Sequence, residues 1–152
     1  MEKTLVVCIG NDLVADDGVG RAVYDLLVQR KLPPATGIRF LGTGGLALVD
    51  ELSGERVLVV VDAVQFGSEP GTVHVCAWDD IPANAHRPVS GHGIGIREAI
   101  EVGRRLDPAK MPAEVYMVGI EGRCFDTLGA DLSPEVAAAA ERAVDEILNL
   151  VG

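Results

Sequence analysis

The sequence predicts an α/β fold: a single-domain three-layer sandwich, with a twisted, mostly parallel five-stranded sheet and helices on both faces. Three observations predict it. Short β-branched runs alternate with amphipathic helical stripes through the chain, the pattern of strands joined by helical crossovers. The first and third runs are continuously apolar rather than alternating, as in strands covered on both faces. The length of 152 residues suits one domain with a sizeable core, and no linker, internal repeat or low-complexity tract interrupts it. One domain is therefore expected over residues 1–152.

The elements follow in order. Residues 4–9 form a buried first strand. It stops at Gly10-Asn11, and two adjacent carboxylates, Asp16 and Asp17, lead through Gly18-Val19-Gly20 into a helix. Val19, Ala22, Val23, Leu26 and Leu27 form its i, i+3, i+4, i+7, i+8 stripe, and it ends near Arg30, before Pro33-Pro34. Residues 38–41 make a second strand, followed by Gly42-Thr43-Gly44-Gly45. Leu46, Val49 and Leu52 mark a short helix closed by Ser53-Gly54. Residues 57–61 are the most hydrophobic strand, and Asp62 directly follows it.

A fourth strand, residues 71–77, begins at a Pro70-Gly71 turn. Its short link to the third strand is about long enough for a hairpin, so one antiparallel neighbour is expected. Residues 79–89 hold two prolines and little periodicity and read as a loop. A helix from about Gly93 places Ile96, Ala99, Ile100 and Gly103 on one face, and residues 114–120 form the fifth strand. Ser133-Pro134-Glu135 is a helix start, with a serine cap and proline at the first helical position. The last helix carries Val136, Ala140, Ala143, Val144, Ile147 and Val151 along its core side.

Composition bounds the function. A net charge of −10 argues against a nucleic-acid partner held through its phosphates. The most apolar run, residues 57–61, falls far short of the ~20 residues of a membrane helix. Residues 1–9 are too short for a signal peptide, so a cytoplasmic protein without membrane contact is expected. Cys8, Cys76 and Cys124 are widely spaced, without a C-x-x-C, which fits free thiols in a reducing compartment. Cys8 and Cys76 lie inside apolar runs and are expected to be buried.

In open α/β sheets ligands bind beyond the carboxyl ends of the strands. Asp16-Asp17 follow the first strand, Asp62 the third, and Ser90-Gly91-His92-Gly93 opens the helix before the fifth. Two carboxylates and an imidazole from such positions suit a borderline divalent cation such as nickel or zinc, with positions left for substrate or water. Each also has a plain structural role open to it: helix-dipole acids for Asp16 and Asp17, a turn cap for Asp62, a surface loop for His92. Glu121, just past the fifth strand, is a weaker candidate of the same kind. His74, inside a strand, and His86, beside Arg87 and Pro88, read as structural or solvated. Gly18-Val19-Gly20 lacks the third glycine of a dinucleotide fingerprint, and no Walker sequence, H-E-x-x-H or G-x-S-x-G is present. Asp12, Asp16 and Asp17 lack the spacing of a calcium loop.

The ordered set Gly10-Asn11-x4-Asp16-Asp17-Gly18-Val19-Gly20, Gly42-Thr43-Gly44-Gly45-Leu46, Val61-Asp62-Ala63, Ser90-x-His92, Val118-Gly119-Ile120-Glu121 and Leu132-Ser133-Pro134-Glu135-Val136 resembles the hydrogenase maturation endopeptidases. The resemblance implies an endopeptidase that removes the C-terminal extension of a nickel-loaded [NiFe]-hydrogenase large-subunit precursor. The nickel carried by that precursor would be the recognition element, and the enzyme would hold no tightly bound cofactor of its own. Carried over residue by residue, the metal-contacting and catalytic set is Asp17, Asp62 and His92. The resemblance favours Asp17 over Asp16, which would support the loop or the helix start. Attack on the peptide carbonyl by nickel-polarised water and attack assisted by a carboxylate base are its two mechanistic accounts. Two other readings remain beside it: a non-cleaving protein that checks the precursor for nickel, and a small zinc-dependent hydrolase.

Overall fold

The structure, a computed structural model, describes residues 3–42, 45–81 and 96–152. Thr43, Gly44, His86, Ser90, His92 and the expected helix start at Gly93 lie outside the described residues, as does most of the expected loop over 79–89. The elements are β1 (Thr4–Ile9), α1 (Val19–Leu27), β2 (Thr36–Leu41), α2 (Gly45–Glu51), β3 (Val57–Val64), β4 (Val73–Ala77), α3 (Ile96–Leu106), β5 (Glu114–Glu121) and α4 (Pro134–Val151). The five strands form one sheet in the order β2-β1-β3-β5-β4. All neighbours are parallel except β4, which runs antiparallel to β5.

Residue alternation along the strands builds two cores. Val6, Cys8, Val59, Val61, Val118 and Ile120 face α1 and α4, where they meet Val19, Val23, Leu27, Val136, Ala140, Val144 and Ile147. Leu5, Val7, Ile9, Leu58, Val60, Val64 and Met117 face the other way, toward Leu48 of α2, Leu52 just after it, and Ile96 and Ile100 of α3. This is why residues 5–9 of β1 and 57–61 of β3 are continuously apolar: both sides of each strand are covered. Each fully buried valine, leucine or isoleucine side chain contributes about 1.5–3 kcal/mol.

Several boundaries differ from the sequence reading. β3 continues to Val64, because β5 offers a partner for every residue: Asp62 pairs with Gly119, Ala63 with Ile120 and Val64 with Glu121. Asp62 thus lies within the strand rather than beyond it. The expected antiparallel strand exists, but it is not a hairpin partner of β3, since β5 lies between them. The more apolar β5 takes the interior position covered on both faces, and β4, whose residues are mostly half-exposed, takes the edge. α1 closes at Leu27, and looser turns carry the chain on to Arg30. Trp78–Asp80 is a short 3-10 turn where a loop is expected, and its Trp78 is buried. Pro134 does open α4, but the Ser133 hydroxyl makes no cap bond to that helix. Among the described residues no helix is long and apolar enough to cross a membrane.

Candidate functional site

The chain leaves β1 through α1, on one face, to reach β2 at the sheet's outer edge. It then crosses by α2, on the other face, to β3 on the far side of β1. The switch point therefore lies between the carboxyl ends of β1 and β3, where an open α/β sheet forms its ligand crevice. Among the described residues the buried charged side chains are Asp16, Asp17, Glu55, Asp62 and Glu121. All are acids, and all but Glu55 lie at the carboxyl edge of the sheet. Burying carboxylates is costly unless hydrogen bonds or a cation compensate, so their gathering at one edge marks a built site.

Asp17 is fixed by the turn that ends β1. Its Oδ2 accepts a hydrogen bond from Asn11 N at 2.9 Å, and the Asn11 side chain accepts one from Leu13 N at 3.0 Å. Gly10 has φ +143°, and a Cβ there would collide with the main-chain oxygen of Asp17 and lie 3.8 Å from its Oδ1. Only glycine allows that approach. Gly20 does the same for α1: a Cβ would strike the carbonyl oxygen of Ile9, so the helix rests directly on the end of β1.

Asp62 is wholly buried, and its Oδ1 accepts a hydrogen bond from Ala63 N at 2.8 Å. By alternation it belongs to the series Leu58, Val60, Asp62, Val64, on the face covered by α2 and α3. Cys8 pairs with Val61, so one further step sets Asp62 beside Ile9, next to the Gly10 turn that carries Asp17. The two candidate carboxylates thus stand at the ends of adjacent central strands, on either side of the switch point.

Asp16, one residue before Asp17, faces different partners. Its Oδ2 accepts hydrogen bonds from Arg123 N at 2.7 Å, Cys124 N at 2.9 Å and Ser133 Oγ at 2.8 Å, and its Oδ1 accepts Ser133 N at 2.7 Å. Burial opposes its ionisation, but hydrogen bonds from the main chain of Ser133, Cys124 and Arg123 and from the Ser133 hydroxyl outweigh burial, holding the carboxyl below its ordinary range. The serine expected to cap α4 is thus committed to Asp16.

Glu121 is more deeply built in than its place at a strand end suggests. It is 3% exposed and accepts the Phe66 N–H through both oxygens, at 3.1 and 3.0 Å. His74 Nε2 lies 3.1 Å from its Oε1, and the His74 ring packs 5.0 Å from that of Phe66. The sequence shows an acid at the end of β5 and a histidine in β4; only the antiparallel pairing of those strands brings them together.

All three cysteines are free. Cys8 is wholly buried, and burial, with the nearby charges of Asp62 and Asp25, pushes its thiol far up. Cys76 is half-buried rather than buried as expected, because β4 is an edge strand. Its thiol is also raised, by burial and then by Asp80. Among the described residues no three His, Cys, Asp or Glu side chains gather closely enough to hold a metal. The expected third contributor, His92, lies outside them.

These features define a doubly wound α/β protein that sets buried carboxylates at its switch point. The chain belongs to the hydrogenase maturation protease family, whose HycI model matches residues 23–150, and is an enzyme of the endopeptidase class. It is similar to the hydrogenase expression/formation protein HupD of Rhodobacter capsulatus: 32% identical over 148 residues, 95% of this chain and 69% of HupD. Its fold is similar to that of the hydrogenase maturating endopeptidase HybD of Escherichia coli, with TM-score 0.83 and 25% identity over 99% of this chain and 91% of that one. The [NiFe] hydrogenase maturation protease HybD of Thermococcus kodakarensis superposes with TM-score 0.82 and 27% identity over 100% of both chains.

Proposed function

We propose that this protein cleaves the C-terminal extension from the large-subunit precursor of a [NiFe] hydrogenase, and that it recognises the precursor by the nickel already inserted there. The observation that carries the reading is the placement of Asp17 against the Gly10 turn that ends β1 and of Asp62 near the carboxyl end of β3, across the switch point of a fold shared with named maturation endopeptidases. Carboxylates suit a borderline or hard divalent cation. With His92, which precedes α3 in the sequence, they form the set that contacts the substrate's nickel. That contact holds the adjacent peptide bond in register with the crevice, and positioning of this kind is itself a large part of catalysis. The enzyme needs no resident metal in this scheme, and it acts where no membrane or nucleic acid is involved.

The test is incubation of purified precursor with the enzyme, with and without nickel, read by the mass of the large subunit. The mass is expected to fall to that of the trimmed subunit only with nickel. Asp62→Asn is expected to keep the fold and abolish trimming, and His92→Ala to lose capture of the nickel-loaded precursor. Unimpaired trimming by folded Asp62→Asn would refute the assignment.

A further inference from the structure

Asp16 is wholly buried with four hydrogen-bond donors around it, none of which comes from its own loop. We propose that Asp16 is a positioning residue which, clamped by Ser133 and the 123–124 main chain, sets the direction in which Asp17 is presented. This rests on the reading of Asp17 as a contact to the substrate's nickel.

The clamp has three parts. The first is the carboxylate itself, which binds the start of α4 through both the main chain and the hydroxyl of Ser133. An anion at the amino end of an 18-residue helix is well placed against the helix dipole. The second is a run of main-chain bonds between the two loops: Asp16 N donates to Cys124 O at 2.9 Å, Gly129 N donates to Leu13 O at 2.6 Å, and Val14 bridges Leu128. The third is close approach. A Cβ on Gly122 would lie 3.1 Å from the Cβ of Asp16 and run into the ring of Phe125.

The reason for such a clamp lies one residue earlier. Ala15 has φ +40°, a left-handed conformation that L residues rarely adopt because the Cβ crowds the following carbonyl oxygen. A loop with that residue at its centre relaxes unless its neighbours hold it. The strained step turns Asp16 toward the 123–133 segment while Asp17 turns toward Gly10 and Asn11. The two adjacent acids thus divide the work: one anchors, the other is presented.

The experiment uses Asp16→Asn, Ser133→Ala, Ser133→Thr, Asp17→Asn and the Asp16→Asn/Asp17→Asn double variant. For each, capture of the host hydrogenase's large-subunit precursor is measured with and without nickel, together with kcat and KM for trimming and the thermal midpoint. In Asp16→Asn an amide N–H must face at least one main-chain donor. A misplacement of order 1 Å at a catalytic group costs about 10²-fold, and a loss of that order is expected in nickel-dependent capture and in kcat/KM. Nickel-independent association should stay unchanged. Ser133→Ala should fall between wild type and Asp16→Asn, and Ser133→Thr should restore what alanine loses. The double variant should be no worse in nickel-dependent capture than Asp17→Asn alone, because Asp16 acts through Asp17.

Wild-type capture and kcat/KM in folded Asp16→Asn, or losses that multiply in the double variant, would overturn the inference. If Asp16→Asn does not fold, Ser133→Ala decides, since it removes one donor and leaves the main chain intact. If Asp17→Asn itself keeps nickel-dependent capture, the functional reading fails, a result distinct from failure of the clamp.

Discussion

Replacing Glu121 by leucine tests whether this buried acid organises the chain that follows Asp62. The carboxylate accepts the Phe66 N–H through both oxygens and pairs with His74. Leucine removes both partners' acceptor. A main-chain donor left without a partner costs about 1–3 kcal/mol. The His74 side chain is 22% exposed and can turn to water, so its share is under about 1 kcal/mol. Against this, leucine gains about 1–2 kcal/mol from apolar burial. These terms centre on a net loss of about 1 kcal/mol, with about 3 kcal/mol as the upper bound, and for a domain of this size each kcal/mol lowers the thermal midpoint by about 2–4 °C. Glu121→Gln keeps a carbonyl oxygen for Phe66 N and should lose about half as much. Urea and thermal unfolding of both variants measure the loss, and hydrogen exchange at the Phe66 amide locates it. Leucine and glutamine variants equal to wild type in stability, with unchanged protection of that amide, would refute the reasoning.

Three further predictions follow from the same geometry. Gly20→Ala gains about 1 kcal/mol of helix propensity but forces α1 off the Ile9 carbonyl at a cost of about 1–3 kcal/mol, so a lower urea midpoint is expected, and a raised one would show that the contact yields. Asp16 has a folded-state pKa below its unfolded value of about 3.9, so its contribution is fully present above that pH and is lost as pH falls through the lower, folded value. The stability gap between wild type and Asp16→Asn should therefore close on acidification below about pH 4, and a gap independent of pH would contradict the ionised clamp. Alkylation of the native protein at pH 8 should spare wholly buried Cys8 and modify the half-buried Cys124, with all three thiols reacting after denaturation; early labelling of Cys8 by peptide mapping would contradict its burial.

The sequence by itself determined the element order, the mostly parallel sheet and the acid-bearing strand ends, because each is written in a local period or a local turn. The continuous runs of β1 and β3, the stripe of α1 and Pro134 at the start of α4 are cues of this kind. What it could not determine depends on which strands pair. β4 is antiparallel as expected, yet it joins β5 because the more apolar strand must take the position covered on both faces. That choice extends β3 through Asp62 and brings His74 to Glu121. The distinction between Asp16 and Asp17 is of the same origin. Two adjacent aspartates look alike in sequence, and a resemblance to known endopeptidases favours the second. Only the tertiary structure shows why they differ: four donors from residues more than a hundred positions away converge on Asp16, while Asp17 turns to the Gly10-Asn11 end of β1.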